Sequence, residues 1–412
     1  MYKVKYVFLL LWLLLCFTFI TIKGIIPGWQ EGRSDFSNYY ASSVLISRSI
    51  TDFSFYNDSE FNQKAIENGV EHGAKFTPFP PVTSYLMLPL SGFTELTAKR
   101  IWMMLNVLFL ALLVVLLKRL IQFSWLNTLL LTSLFCIPLA SNFRLGQTYL
   151  MFTTMLLVAM LILKEGRWKG AGALIGLAVA LKYFPLVYLL YGNRKTMIKT
   201  SLMAFLVGLL LWVSPVIFQG VGIYQDFFQH LSEHLQGNIQ GQGQHSFNYQ
   251  SMDALLANLF VADSNFNAAP VINLPGLKPI FKAGFVLGIL AIIAVLWSRK
   301  KSDHEHSFVL PSIVILGLSA LLPVTATYHF LFLIPPVSIL LLWIRIRFGE
   351  GNLLLAMAIL AVLTFNLLPH HIPTIPGSKV INTLVHFPRL YGLIGLFLTF
   401  SLLFYRTSKS NG

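Results

Sequence analysis

The chain has 412 residues, of which 56% are hydrophobic and only 11% charged, whereas an ordinary soluble domain carries roughly 25% charged residues. With a mean hydropathy of +0.69 it reads as a polytopic membrane protein, and no polar stretch is long enough to form a separate soluble catalytic domain. The formal charge of +14 does not point to nucleic acid, because the basic residues cluster at the ends of apolar spans, the positive-inside pattern.

The first apolar span, Val7 to Ile22, follows Lys3 and Lys5 and has no small-residue cleavage site behind it, so it reads as a retained signal anchor. Next comes Gly32-Arg33-Ser34-Asp35-Phe36-Ser37-Asn38-Tyr39-Tyr40. Tyr39, Tyr40, Val44 and Leu45 fall at helical spacing, with Ser42, Ser43, Ser47 and Arg48 at other positions. That pattern predicts a short amphipathic helix lying in the membrane interface. Asp35 stands at or just before its N-terminus, with Ser34 as another capping candidate. The stretch 78–93, from Pro78-Phe79-Pro80-Pro81 through Phe93, either crosses the membrane or lies against it.

A span needs about 20 apolar residues. After the first, spans are predicted at 97–117, 122–140, 147–163, 170–191, 200–218, 279–297, 308–323, 327–344, 351–369 and 389–405. Segment 170–191 carries Lys182-Tyr183-Phe184-Pro185, and Pro185 disfavours a continuous helix, so it reads as a hairpin that enters and returns. With that hairpin every basic cluster faces the cytoplasm: Lys3/Lys5, Lys118/Arg119, Lys164/Arg167/Lys169, Arg194/Lys195/Lys199, Arg299/Lys300/Lys301, Arg345/Arg347 and Arg406/Lys409. The threading has about twelve helical segments and cytoplasmic termini. Two long segments, 24–96 and 219–278, then lie outside, and they hold eight and four of the 16 acids. Cys16 and Cys136 sit inside apolar runs, which argues against a disulfide framework. The stretch Gly237 to Gln250, rich in Gly, Gln and Asn, reads as a loop. The expected fold is all-α, a single polytopic membrane domain over 1–412.

Asp35 is the first candidate for chemistry. A helix cap or a solvated loop acid is the plainer role, and a general base, partly buried, the sharper one. Arg144, in the short outer turn Arg144-Leu145-Gly146-Gln147, is either a snorkelling anchor or a phosphate ligand, and Gln147 can donate to a sugar hydroxyl. Lys182, in the middle of an apolar run, is the kind of costly intramembrane ion that marks a function, with snorkelling as the alternative and phosphate as the partner it would suit. His329, in Thr325-Ala326-Thr327-Tyr328-His329, is an interfacial hydrogen-bonder or a group that touches substrate. His230 and His234, four residues apart, could chelate a metal, but no third ligand stands at a fixed spacing, so no metal and no cofactor is expected. Asp303-His304-Glu305-His306 reads as a solvated cytoplasmic loop.

Several of these pieces, in this order, resemble the bacterial integral-membrane mannosyltransferases that use polyprenyl-phosphate-mannose, a GT-C-type glycosyltransferase family. The resemblance covers roughly 30–345. It rests on Ser34-Asp35 through Tyr40; Phe79-Pro80-Pro81 with Leu88-Pro89-Leu90; Gly146-Gln147; Gly172-Ala173-Leu174-Ile175-Gly176-Leu177-Ala178-Val179-Ala180-Leu181-Lys182-Tyr183-Phe184-Pro185; Tyr249-Gln250-Ser251; and Tyr328-His329 with Pro335-Pro336. The chain departs from the family at Tyr249, where an Asn often stands, and at Thr327-Tyr328, where a Trp often precedes the His. The resemblance implies a GT-C-like bundle of about 11–13 transmembrane helices, whose extracytoplasmic loops bear short interfacial helices, in the plasma (inner) membrane. It implies a polyprenyl-phosphate-sugar donor and a glycan or glycolipid acceptor, with the site facing the periplasm or exterior among membrane lipids, and no nucleic acid. Asp35 then looks like the catalytic base of an inverting displacement. Lys182, Arg144 and His329 are the candidates for the donor phosphate. Tyr39, Tyr40, Gln147, Gln250, Ser251 and Tyr328 are the candidates for other substrate contacts.

Two rival readings stand beside this one. A polymerase or ligase of O-antigen type, using a lipid diphosphate, should carry more Arg in its large outer loop than 200–277, which has none. A transporter or flippase favours internal repeats and charges near the midplane, whereas here the polar residues concentrate at one face.

Overall fold

The computed structural model describes residues 2–76, 79–235, 243–299, 304–359, 366 and 374–410. Among these the regular structure is helical: α1 (Tyr2–Ile20), α2 (Ile26–Gln30), α3 (Phe36–Ser47), α4 (Asp58–Glu67), α5 (Glu95–Ile121), α6 (Trp125–Ser133), α7 (Cys136–Leu145), α8 (Tyr149–Lys164), α9 (Trp168–Leu181), α10 (Arg194–Gln219), α11 (Gly222–Leu235), α12 (Met252–Phe260), α13 (Leu277–Trp297), α14 (His304–Ala320), α15 (Ile334–Phe348), α16 (Glu350–Ile359), α17 (Lys379–Val385) and α18 (Pro388–Ser410). The fold is that of an all-α polytopic membrane protein.

Among the described residues six helical stretches are long and apolar enough to cross a membrane: Tyr6–Gln30, Glu95–Ile121, Arg194–Gln219, Leu277–Trp297, Thr327–Phe348 and Pro388–Thr407. The pair α6 and α7, bent by 65°, would make a seventh, and α8, α9 and the apolar part of α14 are shorter. Several of the predicted apolar runs are bent or broken. The run predicted at 170–191 ends its α-helix at Leu181, turns through an extended Lys182 and continues as a 3-10 helix, Phe184–Leu190. The described part of the stretch 78–93 is no continuous helix but two short 3-10 turns, Pro81–Tyr85 and Leu88–Leu90. Most of the span predicted beyond Ile359 lies outside the described residues.

The chain divides into two compact units. The first comprises Met1–Leu120, Leu139–Leu190 and Arg194–Asn238, the second Ile121–Pro138, Tyr191–Asn193 and Ile239–Gly412. In the first unit α9 packs tightly on α10 through a small-residue pair. A Cβ on Gly172 would stand 2.7 Å from Thr200 O, and one on Gly176 only 2.5 Å from Ala204 O. With lipid on one side there is no hydrophobic gain from helix pairing, so close backbone approach at small residues supplies the contact. Gly24 and Gly28 do the same for the first span, meeting Ala140 Cα at 2.7 Å and Phe143 O at 2.6 Å. An aromatic core closes the outer part of this unit: Phe36, Tyr39, Phe55, Tyr56, Phe61, Phe76 and Trp102 are all buried. In the second unit Gly317 of α14 abuts the ring of Phe397 on α18 at 2.7 Å.

Candidate active site in the first unit

Asp35 occupies the N-cap position of α3, at φ −62° and ψ −18°, yet its side chain makes no capping bond. Ser34 Oγ accepts the Phe36 N–H instead, at 3.3 Å. The plainer role predicted for Asp35 is thus taken by its neighbour. Asp35 Oδ2 accepts a hydrogen bond of 2.6 Å from Gln147 Nε2, and Gln147 Oε1 accepts the Tyr39 hydroxyl at 2.9 Å. The chemistry fixes this direction: an ionised carboxylate only accepts, so the amide turns its NH2 to Asp35 and its oxygen to the phenol. Burial pushes the Tyr39 phenol well above its ordinary pKa, with Asp35 adding to the shift and Thr148 opposing it, so Tyr39 stays protonated and donates. Asp35 itself is half-buried, while Tyr39 and Gln147 are buried.

Local backbone geometry brings these residues together. Gly146 adopts φ +64°, a left-handed conformation that favours glycine, and a Cβ there would stand 2.7 Å from Phe36 Cβ. Trp102 Nε1 donates to Gly146 O at 3.0 Å, and Gln147 N–H donates to Asn142 O at 3.0 Å. On the other side, the buried carboxylate of Glu95 accepts from the Ser37 hydroxyl and from the N–H groups of Glu71 and His72, at 2.9 and 3.2 Å. The first turn of α3 is therefore fixed from both directions.

α3 is not the interfacial amphipathic helix that its pattern predicts. Phe36, Ser37, Tyr39 to Leu45 are all buried. Ser42 and Ser43 pack inward because each finds a backbone acceptor: Ser42 Oγ donates to Tyr39 O at 2.9 Å and Ser43 Oγ to Ser84 O at 2.7 Å. Satisfied hydroxyls can be buried at little cost.

Lys182 follows directly on α9, whose last carbonyl, Leu181 O, accepts Thr83 Oγ1 at 3.1 Å. Its Nζ lies over three rings, Phe79 at 4.4 Å, Tyr149 at 5.3 Å and Tyr39 at 5.7 Å. Phe79 in turn stacks on Tyr39 at 4.6 Å, and Tyr149 on Phe184 at 5.5 Å. Among the described residues the ammonium has no hydrogen-bond acceptor, although it lies in the field of Asp35. Ring faces stabilise a cation by about 0.5–2 kcal/mol each, less than the cost of withdrawing an ammonium from water. The cluster thus combines a proton acceptor with a cation that can still take an anionic oxygen.

The other predicted residues have contacts of their own. Tyr40 donates to Phe93 O at 2.6 Å, and Arg144, an exposed side chain, pairs with Glu31 at 3.7 Å. Gln250, Ser251, Tyr328 and His329 belong to the second unit. There Gln250 Nε2 donates to Phe247 O and His386 O, at 2.8 and 2.9 Å, and Ser251 caps α12 while donating to Pro323 O at 2.7 Å. His329 Nδ1 accepts the Ala326 N–H at 3.3 Å. Among the described residues no group of three His, Cys, Asp or Glu could hold a metal; His230 Nδ1 meets Asp226 O. The reading of sequence missed the ring cage of Phe79 and Tyr149, and the anchor Glu95. Phe79 was visible in its Phe-Pro-Pro motif, but nothing local ties Glu95 to Ser37.

The sequence model of glycosyltransferase family 87 matches residues 76–325, more than half of the chain. The chain belongs to glycosyltransferase family 87. No curated protein and no solved structure matches it. As a family 87 member it is a glycosyltransferase of GT-C type, working on a sugar donor and a glycan acceptor. Phe79, Gln147, Tyr149 and Lys182 fall within the matched segment, whereas Asp35 and Tyr39 precede it.

Proposed function

We propose that the protein transfers a hexose, mannose first among the candidates, from a polyprenyl-phosphate-sugar to a hydroxyl of a lipid-linked or cell-envelope glycan on the extracytoplasmic face of the plasma membrane. The observation that carries this reading is the chain Tyr39–Gln147–Asp35 beside Lys182. Asp35 removes the proton from the acceptor hydroxyl as its oxygen attacks the anomeric carbon. The bond from that carbon to the phosphate oxygen breaks, the electron pair leaves with the lipid phosphate, and the configuration inverts. Charge grows on the leaving phosphate in the transition state, where a fixed cation stabilises it most. Lys182 is suited to that role, since its ammonium sits on ring faces and has no oxygen partner among the described residues. Gln147 holds the carboxylate in one orientation, and Tyr39 holds Gln147.

Membranes containing the protein, given radiolabelled polyprenyl-phosphate-mannose, should yield labelled glycan whose new linkage has the anomeric configuration opposite to the donor. Transfer with retention, or transfer only from a lipid-diphosphate donor, would contradict the reading.

A further inference from the structure

In the second unit Arg389, in the first turn of α18, is 1% exposed. Its backbone N–H donates to Gln250 Oε1 at 3.1 Å, and its Nη1 to Thr327 Oγ1 at 2.7 Å. Its Nε and Nη2 are buried and have no acceptor among the described residues. A guanidinium keeps its charge at any physiological pH, so it cannot escape burial by losing a proton.

Among the described residues no carboxylate of this unit pairs with it. The acids are Asp253, Asp263, Asp303, Glu305 and Glu350. Asp253 pairs with Lys282 at 2.8 Å, and Asp263 accepts the N–H groups of Asn265 and Phe266. Glu305 belongs to the first turn of α14, and Glu350 stands just past the end of α15, paired with Arg345 at 2.9 Å. Arg389 meets the opposite ends of those helices. Gln250 N–H donates to Thr325 O and Ser251 Oγ to Pro323 O, in the stretch between α14 and Thr327. At 1.5 Å per residue the two helices are about 25 and 22 Å long.

We propose that Arg389, joined to Thr327 and Gln250 in the second unit, binds the phosphate of a prenyl-phosphate lipid. The choice of ligand rests on the donor class proposed above. The fork of a guanidinium matches phosphate oxygens in pairs, and Nε with Nη2 is the edge left open. Thr327, which accepts from Nη1, and its neighbours Tyr328 and His329 are half-buried on the 3-10 turn Thr327–Leu333. Inorganic phosphate offers the same oxygens without the lipid.

The test is equilibrium binding to the purified full-length protein in detergent, with undecaprenyl phosphate, undecaprenol and inorganic phosphate as separate probes. Binding is read apart from sugar transfer, so its outcome is distinct from that of the transfer assay. Arg389→Lys keeps the charge but not the fork, and Arg389→Met removes both. With both variants and their reference carried in a Lys182→Met background, so that the first-unit site does not contribute, undecaprenyl phosphate should bind about 10- to 100-fold more weakly to each variant, the worth of one or two charge-assisted hydrogen bonds, with undecaprenol unchanged. The reference affinity for undecaprenyl phosphate in Arg389→Lys would overturn the proposal. If only inorganic phosphate binds in an Arg389-dependent way, the lipid assignment is overturned.

Discussion

At the scale of single residues, the account turns on how a carboxylate at a helix start is freed from capping. Ser34 takes the Phe36 N–H, so Asp35 is left to Gln147. The position of Asp35 beside the first span was legible in the sequence, and so were Gln147 and Lys182 as polar residues in apolar surroundings. Their meeting was not legible, because Asp35 and Gln147 are 112 positions apart and the contact depends on the positive φ of Gly146. Arg389 was also missed. The signal was present: a lone arginine opening the last span, at the end away from the Arg406/Lys409 cluster. Tyr39→Phe removes only the hydroxyl that orients Gln147. Such a loss typically costs about 1 kcal/mol, so the variant should fold. Its kcat should fall about tenfold, from a carboxylate no longer held in one orientation, while KM for the lipid donor changes little. Steady-state kinetics in detergent would show the split.

At the scale of elements, the motif from Gly172 to Pro185 was recognised as a resemblance, and the fold supplies its physical cause. Gly172 and Gly176 let α9 lie against α10, which sets where α9 ends and where Lys182 emerges. Gly176→Leu would drive a side chain into Ala204 O, 2.5 Å from its Cβ, whereas a Cβ on Gly208 meets Gly176 O at an ordinary 3.8 Å. Gly176→Leu should therefore lower the melting temperature in detergent and abolish transfer, while Gly208→Ala should leave both near wild type. Equal tolerance of the two would contradict the close packing. α3 shows why the element type was readable and its environment was not. Helical spacing gave the helix, but serines that bond to backbone carbonyls look in sequence like a solvated face.

At the scale of the whole molecule, composition and apolar runs were enough for an all-α membrane fold. The breaks in the runs were not legible, because length alone does not reveal a 65° bend between α6 and α7 or a chain that turns at Lys182. Family 87 membership fixes the reaction class, and the first-unit cluster holds the carboxylate and the lysine proposed to serve it as base and cation. That division of labour makes Asp35 the residue on which the account stands. The most direct measurement is sugar transfer from radiolabelled polyprenyl-phosphate-mannose by Asp35→Asn in membranes, at matched protein level. The substitution keeps size and hydrogen bonding but cannot accept the proton, and loss of a general base typically costs about 10²–10⁴-fold in rate. The account predicts a fall of that order with the protein still folded; transfer at the wild-type rate would contradict it.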